Sequence, residues 1–547
     1  MRGWVRAGLV VGGLLVLAAA RAAIGYGSEY VLAAAAVPVG RWLHIPLGRP
    51  KPPVVLALPA APVTAGLPWL GSDGVDADGY PQKSVDMLGM RALLLARRFD
   101  ELTRYVEEVE RDAETDVKKE YWAHDATTSF DVADPALGPP LDAWVKAVPR
   151  SAAPYLCRGA YRLAMGWNGR GNAWARDTSV WQQQVFRDEL ARGREDLEQA
   201  LKLNPHAISA YIDLIEVAHA DGSVRSALAR GIAIFPDSFL VRYFGMLGLT
   251  PRWGGSYEEL ERLAAMAAPV AAKNTKLRAL AGFPDYARGE DRATAKDYAG
   301  AIPFYDRALG SGEIWLYLDA RGDAKNRLHD YAGAFADLGR ARAIRPQNAQ
   351  TDRAFALASW YLKEHEQAAE AYLHAVELDP TRFSEAHTYA TAFEFAGRKH
   401  WSAGEPREAL AAFDKALLLD PNYPEPKRWR AQMLAHGDPN ANQAQIDALV
   451  ARAEREDSFD AYLAVDDALA KSGRFAEIIR HWTDHLTRNP TDGAGFVERG
   501  GAYTHVGRFD EALADVTRAC DLGVARGCAL KDRVPEMRKQ FEAQRGK

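Results

Sequence analysis

Four prolines set a register along this chain: Pro346, Pro380, Pro421 and Pro490. The first two lie 34 residues apart, the next gap is 41, and the last, 69, is about two units. Fifteen residues before each proline the spacing predicts the start of a helix, at Tyr331, His365, Pro406 and Phe475. Three residues later come Ala334, Ala368, Ala409 and Ile478, then a large residue at Leu338, Tyr372, Phe413 and Trp482. Small residues follow at Ala341, Ala375 and Ala416, and His485 breaks that rule in the fourth unit. Two more units, Tyr298 to Ala308 and Phe509 to Ala519, keep the pattern without the proline. A partner helix upstream repeats a small residue at Gly289, Gly322, Ala356, Gly397 and Gly500, preceded by arginine at Arg288, Arg321 and Arg499.

Steps of three and four place these residues on one face of a helix. Alanine or glycine there lets a second helix come close, and the large residue fills the space between the pair. Proline past the last turn stops the helix, because it has no N–H to donate and disfavours helix in the residue before it. No run from Ser84 onward shows strand alternation.

A 34-residue helix–turn–helix unit of this spacing resembles the tetratricopeptide repeat. Gly404-Glu405-Pro406-Arg407-Glu408-Ala409-Leu410 and Gly507-Arg508-Phe509-Asp510-Glu511-Ala512-Leu513 carry the likeness most closely, which runs over about 280 to 525 with a degenerate unit between Asn440 and Glu456. The resemblance implies an all-α solenoid, a superhelix of helix pairs with a concave groove that binds a protein or peptide partner. Counted in the family's register, the groove-facing positions are Asp319, Asp323, Asn326, Arg327, Arg353, Trp360, Glu394, Arg398 and Trp401. Mixed charge with two tryptophans suits a peptide or a partner's helix held by aromatic anchors. The regular Lys/Asn set by which some relatives clamp a terminal carboxylate is missing. For any one of these residues, plain solvated helix surface is the competing account.

Residues 84–275 form a less regular helical head that echoes the repeats. Arg98-Phe99-Asp100-Glu101-Leu102 parallels Arg508 to Ala512, and Cys157-Arg158-Gly159-Ala160-Tyr161 parallels Glu498 to Tyr503. This stretch is similar to a bacterial domain of unknown function that occurs ahead of tetratricopeptide repeats. Trp167, Trp174 and Trp181 recur every seven residues, so a continuous helix would align them. With Arg176 among them they make a candidate surface for an anionic or carbohydrate-like ligand, set against a structural aromatic core.

Other chemistry is sparse. His481 and His485 sit four apart and could supply two metal ligands, but His485 occupies a packing slot and no third ligand is evident. No HExxH, GxSxG or phosphate-cradling glycine loop is present, so no cofactor, metal or catalytic residue is expected. Cys520 and Cys528, set around Gly523 and Gly527, resemble the cysteine pairing of exported Sel1-like repeats, which implies a disulfide; two reduced packing cysteines are the alternative.

Lys+Arg total 68 against 73 Asp+Glu, a net charge of −5, which speaks against a dedicated nucleic-acid binder. Arg2 and Arg6 precede an apolar run from Ala7 to Ala20 with small residues behind it, the pattern of a secretory signal. Extended past Arg21 to Tyr26, the same segment would serve as an uncleaved anchor. Either export reading carries the rest of the chain across a bacterial inner membrane, into the periplasm. Residues 27–83 are Pro-rich and read as an extended linker, and 527–547 as a polar capping helix. The favoured reading is a noncatalytic envelope scaffold holding a protein partner, touching the membrane only through its N-terminal segment. Buried, converging acid–base groups in 120–260 would favour the alternative, an enzyme or small-ligand receptor. A third reading, self-association through the repeats, predicts a concentration-dependent mass.

Overall fold

The computed structural model describes residues 69–171, 177–381, 386–435 and 443–545, and these are almost wholly helical. Residues 1–26, where a signal or anchor is expected, and most of the Pro-rich stretch lie outside the described residues. The second helices of the repeats begin at the expected positions: Tyr331–Ile344, His365–Leu378, Pro406–Leu419 and Phe475–Arg488, joined by Tyr298–Ser311 and Phe509–Asp521. The degenerate unit supplies the helix Gln443–Glu456. The chain thus has the all-α, helix-pair architecture of the tetratricopeptide solenoid.

Close approach within each pair depends on the small residue. A Cβ on Gly322 would lie 2.6 Å from Leu338, and one on Gly397 would lie 2.6 Å from Phe413. The arginine ahead of the glycine has its own partner. Arg321 donates from Nε and Nη2 to Asp337 at 2.8 and 2.7 Å, and Arg499 does the same to Asp515 at 2.7 and 2.8 Å. In the head, Arg158 forks onto Asp196 at 2.8 and 2.6 Å, with Gly159 against Leu197. The aspartate always precedes the large residue that meets the glycine. The fourth repeat breaks the pattern with polar substitutes: Asp466 stands at the small position and accepts a 2.9 Å hydrogen bond from the Trp482 indole.

The chain divides into two compact units. The first comprises residues up to Leu328 with Asp337–Ala349 and Val376–Arg382; the second comprises His329–Ala336, Gln350–Ala375 and Phe383 to the end. One hydrophobic core runs through the first unit from Val85 to Ala324, crossing the position at 275 where the sequence suggests a change from head to repeats.

Part of the stretch read as linker is folded. Trp69–Leu70 pairs antiparallel with Ser84–Val85, and Tyr80 is buried between them in sequence. The reason lies in its aromatic residues rather than its prolines. Trp69 packs edge-on to Tyr105 and Trp122, while the Tyr80 hydroxyl donates to Glu120 at 2.7 Å. Glu120, fully buried, also accepts from the Ser238 hydroxyl and from the backbone N–H groups of Phe239 and Leu240, so it caps the helix Phe239–Gly248 from a distant helix. The sequence contains no local cue for that cap, because donor and acceptor are about 120 positions apart.

At the carboxyl end, Cys520 and Cys528 are joined in a disulfide, and Cys157 is free and buried. The helix Ala525–Arg545 covers the last repeat with Leu530, Val534, Met537 and Phe541, so the polar capping helix carries an apolar stripe.

Candidate functional site: an aromatic cleft in the second unit

The second unit contains a cleft of about 1,090 Å³. One wall is the end of the helix Ala386–Ala403, which supplies Phe395, Arg398, Lys399 and Trp401; Trp429 and Met433 of the helix Pro424–Ala435 continue it. The facing wall is the turn Ala470–Gly473, then Phe475, His505 and Phe541.

The two walls meet at a glycine. Gly404 has φ +77°, and a Cβ there would lie 2.4 Å from Val506. Its carbonyl accepts the Ala476 N–H at 3.3 Å, so a turn after one helix pair touches the start of a helix some 70 residues on.

Aromatic faces dominate the interior. His365 lies 4.7 Å from Trp360 and 5.0 Å from Phe395 by ring centroid, and Trp360 meets Phe395 edge-on at 5.3 Å. Phe475 and His505 stack in parallel at 4.1 Å. Phe413, fully buried, stacks behind Trp429. Burial lowers the pKa of both His365 and His505, and Lys399 and Lys363 push His365 the same way, which keeps the rings neutral. Arg398 is exposed, lies over the Phe395 ring at 5.6 Å and approaches Glu394 at 3.5 Å. Arg398, Lys399 and Lys471 are the charged residues of the lining, and no carboxylate lines the cleft among the described residues.

Of the nine groove positions, Arg398 and Trp401 line this cleft, and Trp360 reaches it through His365 and Phe395. Glu394 is buried beneath Arg398, at 4% exposure, and is a packing residue. Arg353 is half-buried in the same unit and is not part of the wall. Asp319, Asp323, Asn326 and Arg327 belong to the first unit, on the helix Trp315–Arg327. There Asn326 is buried and Arg327 pairs with Asp323 at 3.6 Å. Phe395, Trp429, Lys471, Phe475, His505 and Phe541 escape a reading by repeat position, because the curl of the unit brings their helices together.

The tryptophan stripe of the head is not one helix. The helix Ala153–Arg170 ends at Gly171, which has φ +72°, so Trp167 and Trp181 belong to different helices. Trp174 and Arg176 lie outside the described residues. Trp167 packs on Phe186 at 4.7 Å and on Trp253 at 5.8 Å, in the manner of core, while Trp181 is 47% exposed. His485 offers no metal site with His481. Its Nδ1 lies 3.1 Å from Asp457 and its Nε2 2.9 Å from Asp492, so both ring nitrogens are occupied.

Residues 86–223 match the family described as Domain of unknown function (DUF4034), and residues 354–382 match a tetratricopeptide repeat. The chain carries a DUF4034 segment and a tetratricopeptide repeat. The repeat match covers the helix His365–Leu378, one flank of the cleft, and the DUF4034 match covers the helices whose Arg158–Asp196 fork mirrors those of the repeats. Tetratricopeptide repeat protein 16 of Macaca fascicularis is 22% identical over 272 residues, covering 43% of this chain and 29% of the relative. The tetratricopeptide repeat and J domain-containing co-chaperone of Cryptococcus neoformans var. grubii is 28% identical over 165 residues, 28% of this chain and 30% of the relative. This chain therefore spans less than a third of the curated relatives it matches. Among solved structures, YrrB, a TPR protein with an unusual peptide-binding site, is 19% identical with TM-score 0.23, covering 38% of this chain and 98% of that one. The P58(IPK) TPR domain is 16% identical with TM-score 0.23, covering 64% and 94%.

Proposed function

We propose that the chain is a noncatalytic scaffold of the bacterial cell envelope that holds a segment of a partner protein in the aromatic cleft of its second unit. One observation carries this reading: a cleft large enough for several side chains, with exposed Phe395 and half-buried Trp401 on its wall, in a repeat family whose architecture serves protein interaction. A co-chaperone among the relatives accords with it. Export is part of the proposal, supported by the Arg2/Arg6 and Ala7–Ala20 pattern and by a cysteine pair of the kind an oxidising compartment maintains. No helix of the described residues is long and apolar enough to cross a membrane, and the N-terminal pattern lies outside them. The test is affinity capture from the organism's own membranes with the intact chain and with Trp360→Ala plus Trp401→Ala. A protein retained equally by both would defeat the cleft as the site.

A second reading, chemistry in the head, has one observation in its favour. Asp213 is buried with no hydrogen bond on Oδ2, and the nearby Glu216 is pushed up to about 8 by burial and by Asp131. Two other buried acids of the first unit have structural work: Glu120 caps a helix, and Asp125 is paired with Arg345 at 2.5 Å. If Asp213→Asn raises the melting temperature, Asp213 is a burial cost and this second reading falls.

A further inference from the structure

The cleft also carries information about the chemistry of what fills it. We infer that the occupant is an acidic peptide segment, bearing one or more large apolar side chains between its carboxylates. This rests on the scaffold reading above and specifies the partner for that same site.

Three features support it. First, the sign of the charge is uniform: Arg398, Lys399 and Lys471 line the cleft with no carboxylate beside them among the described residues, although the whole chain is net acidic at −5. A local positive field on an acidic protein draws a segment of opposite charge and disfavours a basic one. Second, the cations are placed at the rim. Arg398, Lys399 and Lys471 are exposed; among the described residues Arg398 pairs with the buried Glu394, at 3.5 Å, while its guanidinium lies over Phe395 and Trp429. An incoming carboxylate can thus reach the guanidinium edge without displacing a fork such as Arg499 makes with Asp515. Third, the floor is apolar and aromatic, with Trp401, Trp429 and Phe475 as faces for an aliphatic or aromatic side chain. The His365 ring packs against Trp360 and Phe395 and extends this aromatic wall.

Single-stranded nucleic acid, which also combines anions with stacking bases, fits less well. It requires a cationic track along several nucleotides, whereas the cations here number three around one cleft.

The experiment is fluorescence anisotropy of the full-length chain with labelled synthetic ten-residue peptides of Asp and Glu containing one Leu and one Phe, and with twins in which Lys replaces the acids. A labelled ten-nucleotide oligouridine is the third probe. The acidic peptide should bind, should weaken about tenfold between 50 and 200 mM salt, and should weaken at least tenfold with Lys471→Glu. Arg398→Glu should do the same; because it would face Glu394, the exposed Lys471 variant guards against a folding artefact. The basic twin binding the wild type as well as the acidic peptide, or oligouridine binding more tightly, would overturn the acidic assignment while leaving a binding cleft in place. Undiminished binding of the acidic peptide to both variants would overturn the site. If no probe binds, the acidic assignment falls, and the membrane capture with Trp360→Ala plus Trp401→Ala decides the scaffold reading separately.

Discussion

Arg499 grips Asp515 through two parallel hydrogen bonds, across the pair of helices that Gly500 allows to close on Val516. The aspartate is 6% exposed, so losing its partner would strand a charge in a poorly solvated place. Arg499→Ala should therefore destabilise the second unit by roughly 2–3 kcal/mol, read as a shift in the urea midpoint at constant slope. Asp515→Leu combined with Arg499→Met should recover most of that loss. A single-variant cost below about 0.5 kcal/mol would mean the fork is as weak as an ordinary surface pair.

Gly404 offers a sharper test of the cleft. Valine there would meet Val506 and would hold a φ of +77° that a branched side chain resists. Gly404→Val should lower the melting temperature and abolish cleft binding. The control is Gly523→Ala, also at positive φ (+83°) but outside the cleft and with nothing within 4 Å of the added carbon. It should cost only backbone strain, about 1 kcal/mol. Equal effects from both would locate the problem in the backbone and not in the contact.

Stability should peak on the acid side of neutrality. Burial pushes Glu110 and Glu120 up to about 7 and Glu216 to about 8, so these carboxyls take up protons on folding. Their favourable contribution is complete below the unfolded value of about 4.5 and is lost as pH rises to 7–8. Burial instead holds His124 down at about 3 and His219 at about 4, so their contribution is present above about 6.5 and is lost as pH falls below it. Melting temperature should decline on both sides of about pH 5, where the two opposing sets of groups balance. Glu120→Gln should flatten the alkaline limb alone, and His124→Gln the acid limb alone. An unchanged alkaline limb in Glu120→Gln would show that Glu120 is ionised in the folded protein across the whole range.

The disulfide closes a loop of eight residues' separation at the foot of the last helix. Loop-closure entropy for so short a ring is worth roughly 2–3 kcal/mol. Cys520→Ala with Cys528→Ala should lower the melting temperature by a few degrees, and a reductant should do the same to the wild type but not to the double variant. Identical melts with and without reductant would show that the bridge does not hold this helix.

Helix starts were legible because the cue is local: Tyr331, His365, Pro406 and Phe475 each stand a fixed distance from a proline. The Arg-Gly pairs were visible as a recurrence, yet their purpose needed coordinates, since the aspartates lie 16 residues on in the repeats and 38 on in the head. Trp401 and Arg398 could be counted from Pro421, but Phe475 and His505 enter the same cleft by superhelical closure, which no spacing encodes. The Pro-rich composition around Trp69 and Tyr80 concealed two anchors, because prolines speak to the backbone and say nothing of what the aromatic rings will find. Charge failed for a similar reason: Glu394 and Asn326 look like surface residues on a helical wheel, and both are covered by neighbours.

An array of repeats ordinarily behaves as beads, each sensing only the next, so that damage at one end spares the other. The bond from Ala476 to Gly404 short-circuits that arrangement. With the string looped back on itself, the second unit should melt in one step rather than fray from its terminus, and an injury near Phe541 should be felt as far back as Trp401.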